Sequence, residues 1–142
     1  MPRSIAFLLG LLTGLLMVTH VLAQAVPKVL TGTIERLENF SSRYVDARHV
    51  DVWLPDGYNT RQRYNVLYMH DGQMLFDPAT TWNHQSWGVD ATMGRLIEQG
   101  RIEPTIVVGI WNNGKLRHAE YFPEKSLPFL METVRKPSVE EA

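Results

Sequence analysis

Hydrophobic and polar residues alternate along two early segments of the chain, Val29–Leu37 and Tyr44–Leu54. Alternation with a period of two predicts strands that place one face in a core, and Gly32 is a candidate bulge in the first of them. A polar turn at residues 39–43 separates the segments, so we expect them to pair as antiparallel strands. Pro55–Asn59 ends the second segment with a clear turn signal.

Two continuous apolar runs follow, Tyr64–Met69 and Pro104–Ile110. Runs of this kind are typical of strands that are covered on both faces. Between them, Trp87–Ile97 has apolar residues at helical spacing, with Gly100 as a stop signal. The strand, helix, strand order predicts an α/β fold in which a right-handed crossover joins parallel strands of a largely parallel sheet. Ser126–Arg135 is predicted to form one more amphipathic helix.

Residues 1–25 have the layout of a secretory signal peptide. Arg3 precedes the apolar run Ile5–Val18, and small residues then stand at cleavage spacing, which predicts cleavage after Ala23 or Ala25. An uncleaved N-terminal anchor is the alternative, although the apolar run is short for a membrane span. We therefore expect a secreted or periplasmic protein with no stable membrane association after cleavage.

Length and composition narrow the remaining possibilities. The 142 residues suit one domain, which we assign to residues 26–135, followed by a disordered tail at residues 136–142. The net charge is -1 and no basic cluster is present, so no nucleic-acid partner is expected. The chain contains no cysteine, which excludes disulfides, a thiol nucleophile and a Cys-ligated metal.

The main candidate for chemistry is the sequence His70-Asp71-Gly72-Gln73, directly after an apolar strand. Functional loops of α/β enzymes lie at the carboxyl ends of strands. Gly72 can adopt a positive φ angle or allow close backbone approach, and backbone N–H groups of such a loop can stabilise an oxyanion in acyl transfer. The other interpretation is a simple strand-terminating turn in which Asp71 caps the loop.

The sequence does not predict a metal site. His70 and Asp71 are adjacent strand residues, which point to opposite faces and are poorly placed to share a ligand. The remaining candidates show no recognised metal-ligand spacing. These are His84, His118, Asp77 and Asp90.

Three tryptophans, Trp82, Trp87 and Trp111, lie near the predicted loop ends. They could line a pocket for a sugar or an aryl group, or they could pack in the core, which is the more frequent role of aromatic side chains. A non-catalytic secreted module that binds carbohydrate through these tryptophans is the alternative to an enzyme.

No serine has the sequence context of a nucleophile elbow. The strand-to-helix turn of an elbow is sharp and requires small neighbours, as in Gly-x-Ser-x-Gly. Ser86 has Gly88 two residues later but His84 two residues earlier, so only half of the pattern is met. No catalytic residue is therefore assigned.

An ordered series of segments resembles the esterase family of α/β-hydrolases, which includes esterase D-type thioesterases, enterochelin esterases, feruloyl and acetylxylan esterases, and mycolyltransferases. The segments cover roughly residues 30 to 130, and any one of them alone would be a weak signal. They are Val52–Tyr58, Tyr64–Phe76, Trp87–Asp90, Ile106–Ile110 and Arg117–Pro123.

The resemblance implies an α/β-hydrolase sheet, ester or thioester substrates, no cofactor, and a triad of Ser, Asp or Glu, and His. It also implies that Gly72 or Gln73 donates one oxyanion-hole N–H. The elbow and the rest of the triad follow later in family members, so the chain matches only the N-terminal half of the pattern. We expect a truncated chain that is inactive alone, with the Val66–Met69 strand left as an exposed apolar edge.

Overall fold

The structure, a computed structural model, describes residues 24–129. Four strands form one mixed sheet, and their bounds are β1 Thr33–Phe40, β2 Arg48–Leu54, β3 Asn65–Met69 and β4 Thr105–Ile110. The helix α1, Val89–Glu98, connects β3 to β4. The predicted signal peptide up to residue 23, the tail at residues 136–142, and most of the predicted helix Ser126–Arg135 lie outside the described residues. Glu124–Phe129 is a 3-10 segment.

The spatial order of the sheet is β1-β2-β4-β3. The pairs β1–β2 and β2–β4 are antiparallel, and β3–β4 is parallel. The predicted α/β fold, with an antiparallel pair followed by a parallel strand, helix, strand unit, is confirmed. The expectation of a largely parallel sheet is wrong for the described strands, because β4 inserts between β2 and β3 and runs against β2.

The boundaries of β1 and β2 differ from those predicted. Gly32 is not a bulge inside β1; it precedes the strand with a φ of 72° and packs against Trp53 and the backbone of Leu54. The irregularity of β1 falls instead between Leu37 and Phe40, where the register with β2 shifts. The close contact at Gly32 and the register shift in β1 both depend on how β1 meets β2. The alternation of side chains along the sequence does not reveal either of them.

The helix α1 ends as its sequence predicts. Gly100 has a φ of 63° and its N–H donates to the carbonyl of Ile97, while the N–H of Arg101 donates to the carbonyl of Leu96. These bonds satisfy the last carbonyls of the helix, as a glycine-terminated helix requires. None of the helices within residues 24–129 has the length and apolar character needed to cross a membrane.

The core lies between the sheet and the segment that contains α1. It is formed by one side chain from each of β2, β4 and α1, and by two side chains of the loop after β3. These are Trp53, Val107, Val89, Leu75 and Phe76. The loop after β3 is therefore anchored in the core, which fixes the position of the residues that precede it.

The strand β3 is not covered on both faces as its apolar sequence predicts. Val66, Leu67 and Tyr68 are 48%, 40% and 68% exposed. The reason is topological: β4 returns on the inner side of β3 and leaves it as an outer strand of the described sheet. The expected exposed apolar edge is therefore present.

A buried ion pair joins β1 to β2. Arg36 Nε lies 2.7 Å from Asp51 Oδ1, and Arg36 Nη2 lies 2.8 Å from Asp51 Oδ2. Trp111 Nε1, directly after β4, donates to Asp51 Oδ2 at 2.8 Å. Arg36 Nη1 donates to the carbonyls of Gln24 and Ala25. The charges are thus buried with their hydrogen-bonding capacity largely used, the condition under which such a pair is tolerated.

We expect Arg36→Ala to lower the free energy of unfolding by about 3–5 kcal/mol, because the carboxylate of Asp51 would remain buried without its partner. Urea unfolding followed by tryptophan fluorescence measures the change. The control is Glu38→Gln on the exposed part of β1, for which we expect a change within about 0.5 kcal/mol. Equal effects of the two substitutions would contradict the role of the ion pair.

Candidate functional site

The loop at the carboxyl end of β3 makes an abrupt turn at Asp71, which has a φ of 56°. A 3-10 turn, Gly72–Met74, follows, and the N–H of Met74 donates to the carbonyl of Asp71 at 2.8 Å. We expected Gly72 either to adopt a positive φ angle or to allow close backbone approach. Close approach is what occurs, because a Cβ at Gly72 would lie 2.5 Å from the carbonyl oxygen of Gly109. The positive φ falls on Asp71 instead.

The side chain of Asp71 binds three groups from the segment after β4. Arg117 Nε and Nη2 donate to Asp71 Oδ1 and Oδ2 at 2.8 and 2.6 Å, and Asn112 Nδ2 donates to Oδ1 at 2.7 Å. The hydrogen bond from Arg117 is the main cause that lowers the pKa of Asp71 from 3.8 to about 2. Asp71 does not cap the 3-10 turn with its side chain, so a simple capping role does not describe it.

Tyr121 completes the environment of Asp71. Its hydroxyl donates to Asp71 Oδ1 at 3.2 Å and accepts from the N–H of Asp71 at 3.3 Å. Burial raises the pKa of Tyr121. The ring of His70 lies 4.7 Å from the tyrosine ring. The loop and the segment after β4 are therefore held together by one polar and aromatic cluster.

A second ion pair sets the position of the helix that carries Arg117 and Tyr121. This helix, α2, spans Arg117–Tyr121. Its Glu120 accepts two hydrogen bonds from Arg48 of β2, at 2.6 and 2.7 Å. The side-chain hydrogen bond to Arg48 lowers the pKa of Glu120. Because Glu120 faces β2 while Arg117 and Tyr121 face the loop, α2 links the sheet to Asp71.

A cleft of about 740 Å³ opens beside the loop. All three tryptophans that were considered as pocket residues line it: Trp82, Trp87 and Trp111. Trp82 is 85% exposed and Trp87 is 59% exposed, whereas Trp111 is buried. Core packing, the alternative role, therefore applies to Trp111 and not to the other two.

The backbone N–H groups of Gly72 and Gln73 are the donors that the resemblance implies. Within residues 24–129, no protein acceptor is found for the N–H of Gly72 or of Gln73. Gln73 lines the cleft, whereas Gly72 is buried and does not line it. The side-chain carbonyl of Gln73 accepts the N–H of Asn112 at 3.2 Å, which ties the donor-bearing residue to the end of β4.

The other residues considered for chemistry lie apart from one another. Asp77 accepts the N–H groups of Lys28 and Ala79, which lower its pKa, and Asp90 accepts the N–H of Leu30. Both aspartates therefore hold the chain that enters β1. His84 is exposed in the loop before α1, and His118 stacks near Phe122. No three His, Asp or Glu side chains in the described part of the chain converge on a common point.

Sequence reasoning missed Asn112, Arg117 and Tyr121 as parts of the site. Arg117 and Tyr121 stand four residues apart, a spacing that places two side chains on one face of a helix. That spacing could have indicated a shared partner. The identity of the partner, Asp71, could not be read from it, because 46 positions separate Asp71 from Arg117.

We expect Arg117→Gln to weaken the fold in a pH-dependent way. The folded pKa of Asp71 lies below its ordinary value of 3.8, so its ionised form contributes fully above about pH 3.8. That contribution is lost as the pH falls through about 2. The variant should therefore be less stable than the wild type at pH 6, and the difference should narrow below pH 4.

Urea unfolding at several pH values measures this difference, and carboxyl NMR reports the pKa of Asp71 directly. Arg63→Gln is the matched control, because Arg63 is exposed and not part of the cluster. A difference between wild type and Arg117→Gln that stays constant down to pH 2 would show that the charge of Asp71 is not involved.

Comparisons with known proteins identify the family of the chain. The family described as "Putative esterase" matches residues 41–128. No curated protein matches the chain. Solved structures also match, and among them are two of a CE1 ferulic acid esterase from the anaerobic fungus Anaeromyces mucronatus.

The structure without substrate has 23% sequence identity to this chain, covers 60% of it, and gives a TM-score of 0.42. The structure in complex with ferulic acid has 22% sequence identity to this chain, covers 83% of it, and gives a TM-score of 0.44. The chain spans 31% and 46% of the length of these two structures. Because the family match covers more than half of the 142 residues, the chain belongs to the esterase family of α/β-hydrolases.

Proposed function

We propose that this chain is the oxyanion-donor part of an exported serine-type hydrolase of carboxylic esters or thioesters. The observation that carries the proposal is the loop after β3, whose Gln73 N–H has no protein acceptor among the described residues and lies beside the cleft. Gly72 is the second candidate donor. Preorganised donors of this kind stabilise the negative charge that develops on the carbonyl oxygen during acyl transfer, by ~3 kcal/mol each.

The cluster around Asp71 gives these donors a fixed direction. Asp71 occupies a backbone conformation that is unfavourable for a non-glycine residue, and Arg117, Asn112 and Tyr121 hold it there. A rigid loop matters because a donor stabilises an oxyanion only when it needs no reorganisation at the moment of reaction. No cofactor has a role in this chemistry.

The same chain lacks the attacking group. The sequence contains no Gly-x-Ser-x-Gly, and within residues 24–129 no hydrogen bond joins Ser86 to an imidazole or a carboxylate. Hydrolysis by a triad needs a serine, a base and an acid in contact. We therefore propose that the 142 residues alone do not hydrolyse esters, and that a nucleophile elbow encoded elsewhere completes the site.

We expect the purified chain to hydrolyse p-nitrophenyl acetate no faster than buffer, with Ser86→Ala indistinguishable from the wild type. Release of p-nitrophenolate measures the rate. Turnover well above buffer that survives Ser86→Ala would show that another nucleophile is at work. The DNA downstream of codon 142 provides a second test, since a continuing frame with an elbow serine and a later histidine supports an interrupted esterase.

Export through the N-terminal leader is also part of the proposal, and Arg36 distinguishes between the two cleavage sites. Arg36 Nη1 donates to the carbonyls of Gln24 and Ala25. Cleavage after Ala25 would remove both acceptors from the buried guanidinium, whereas cleavage after Ala23 keeps them. We expect the secreted or periplasmic form to begin at Gln24, which intact-mass analysis measures; retention of residues 1–23 would favour the uncleaved anchor.

A non-catalytic carbohydrate-binding role is the second candidate. It is favoured by Trp82 and Trp87, which are exposed at the cleft and able to stack on a sugar ring. A titration of tryptophan fluorescence with oligosaccharides tests it, with Trp82→Ala as the variant and Phe40→Ala, outside the cleft, as the control. The absence of any glycan-dependent change would remove this candidate.

A further inference from the structure

The dipeptide Asn113-Gly114 lies in the segment that carries the cluster around Asp71. An asparagine deamidates when the backbone nitrogen of the next residue attacks its side-chain Cγ. Glycine at that next position permits the attack most readily, because it has no Cβ to hinder the approach. Asn113 is the only asparagine of the sequence that glycine follows, and a Cβ built at Gly114 would meet no atom within 4 Å.

Two hydrogen bonds hold the reacting groups of this dipeptide. Asn113 Nδ2 donates to Asp46 Oδ2 at 3.0 Å, and the backbone N–H of Gly114 donates to Asn112 Oδ1 at 2.8 Å. The first bond fixes the carboxamide that would lose ammonia, and the second engages the nitrogen that would attack it. The two restraints come from the loop before β2 and from a residue that binds Asp71.

The backbone of Asn113 adds a third restraint, because its φ is -95° and its ψ is 44°. Deamidation passes through a succinimide ring that joins the Gly114 nitrogen to Cγ. For this ring to close, the nitrogen must lie on the same side of the Cα–C bond as Cβ. At a ψ of 44° the two atoms lie on nearly opposite sides of that bond. The attack therefore requires a large rotation, which needs a local opening of the segment.

We propose that Asn113 is a deamidation site, which the intact cluster protects and local opening exposes. In the opened segment the Gly114 nitrogen attacks Cγ of Asn113 and forms a C–N bond. The bond from Cγ to Nδ2 breaks, and ammonia leaves with the proton of the Gly114 N–H. Water then opens the succinimide at either of its carbonyls, which leaves aspartate or isoaspartate at position 113. Water is the only co-reactant.

The product cannot restore the hydrogen bond to Asp46. Both products carry a carboxylate at position 113, and it would face the carboxylate of Asp46 where the amide now donates. Two ionised carboxylates repel each other, and neither can donate a hydrogen bond. Position 113 lies between Asn112 and α2, so we expect the displaced segment to weaken the hydrogen bonds that Asn112 and Arg117 make to Asp71. Deamidation is thus a one-way step that loosens the candidate site.

The first test follows the mass of the tryptic peptide 102–115 while the purified chain is incubated near neutral pH. We expect Asp46→Ala to speed the deamidation of Asn113 by about 3- to 10-fold, the factor that corresponds to one ordinary hydrogen bond lost from the closed segment. Because Asp46 is exposed, this substitution should leave the fold intact. Asn59, exposed and followed by Thr60, is the internal control and should stay unmodified.

Unfolding in urea separates protection by the fold from the reactivity of the dipeptide. In urea, the wild type and Asp46→Ala should deamidate at one common rate that exceeds both folded rates, because no restraint remains. Gly114→Ala should slow the reaction in urea as well, because its Cβ hinders the attacking nitrogen. These rates are read by mass, so they are independent of whether the chain takes part in ester hydrolysis.

The second test measures whether a carboxylate at position 113 loosens the site. Asn113→Asp reproduces the charge of the product, and it should raise the pKa of Asp71 from about 2 toward 3.8, which carboxyl NMR measures. Adding Asp46→Asn to this variant exchanges donor and acceptor, so the hydrogen bond can form again and the pKa of Asp71 should return to its wild-type value. Asn59→Asp is the control and should leave that pKa unchanged.

Two results would overturn the proposal. One is an equal rate of deamidation at Asn113 in the folded wild type, in folded Asp46→Ala and in urea, because the cluster would then protect nothing. The other is a pKa of Asp71 that Asn113→Asp leaves unchanged, because the product would then not disturb the site. Faster deamidation in Asp46→Ala, together with a raised pKa of Asp71 that the exchange of donor and acceptor restores, supports it.

Discussion

The buried pair of Arg36 and Asp51 is the interaction on which the rest of the structure depends. It joins β1 to β2, and through Trp111 it fixes the point where the chain leaves β4. Arg36 also holds the carbonyls of Gln24 and Ala25, so the entering chain is bound at the same place. A buried charge without its partner would lower the free energy of unfolding strongly. The four segments that contact the pair are therefore stable only in this arrangement.

The candidate site lies directly next to this pair along the chain. Trp111 is followed by Asn112, which binds both Asp71 and Gln73, and then by α2, which supplies Arg117 and Tyr121. The site therefore has two anchors: the core side chains that follow it in the loop, and the ion pairs that position the segment after β4. The loop is held rigidly because the side chains after it are buried in the core and the hydrogen bonds to Asp71 are charge-assisted.

The strand β3 carries the loop at Asp71 at its carboxyl end. It is an outer strand of the described sheet, and its Val66, Leu67 and Tyr68 are exposed. In the esterase sheet this edge is expected to adjoin the strand that leads to the nucleophile.

The sequence by itself determined the class of the fold, the four strands, the helix α1 with its glycine stop, and the family. It also predicted the loop at Asp71 as the candidate place for chemistry. Periodicity and turn residues are local signals, and these features are local. Only the tertiary structure decided that β4 inserts between β2 and β3, that β3 is exposed, and that Arg117 binds Asp71. These depend on which distant segments meet, and no local pattern of residues specifies that.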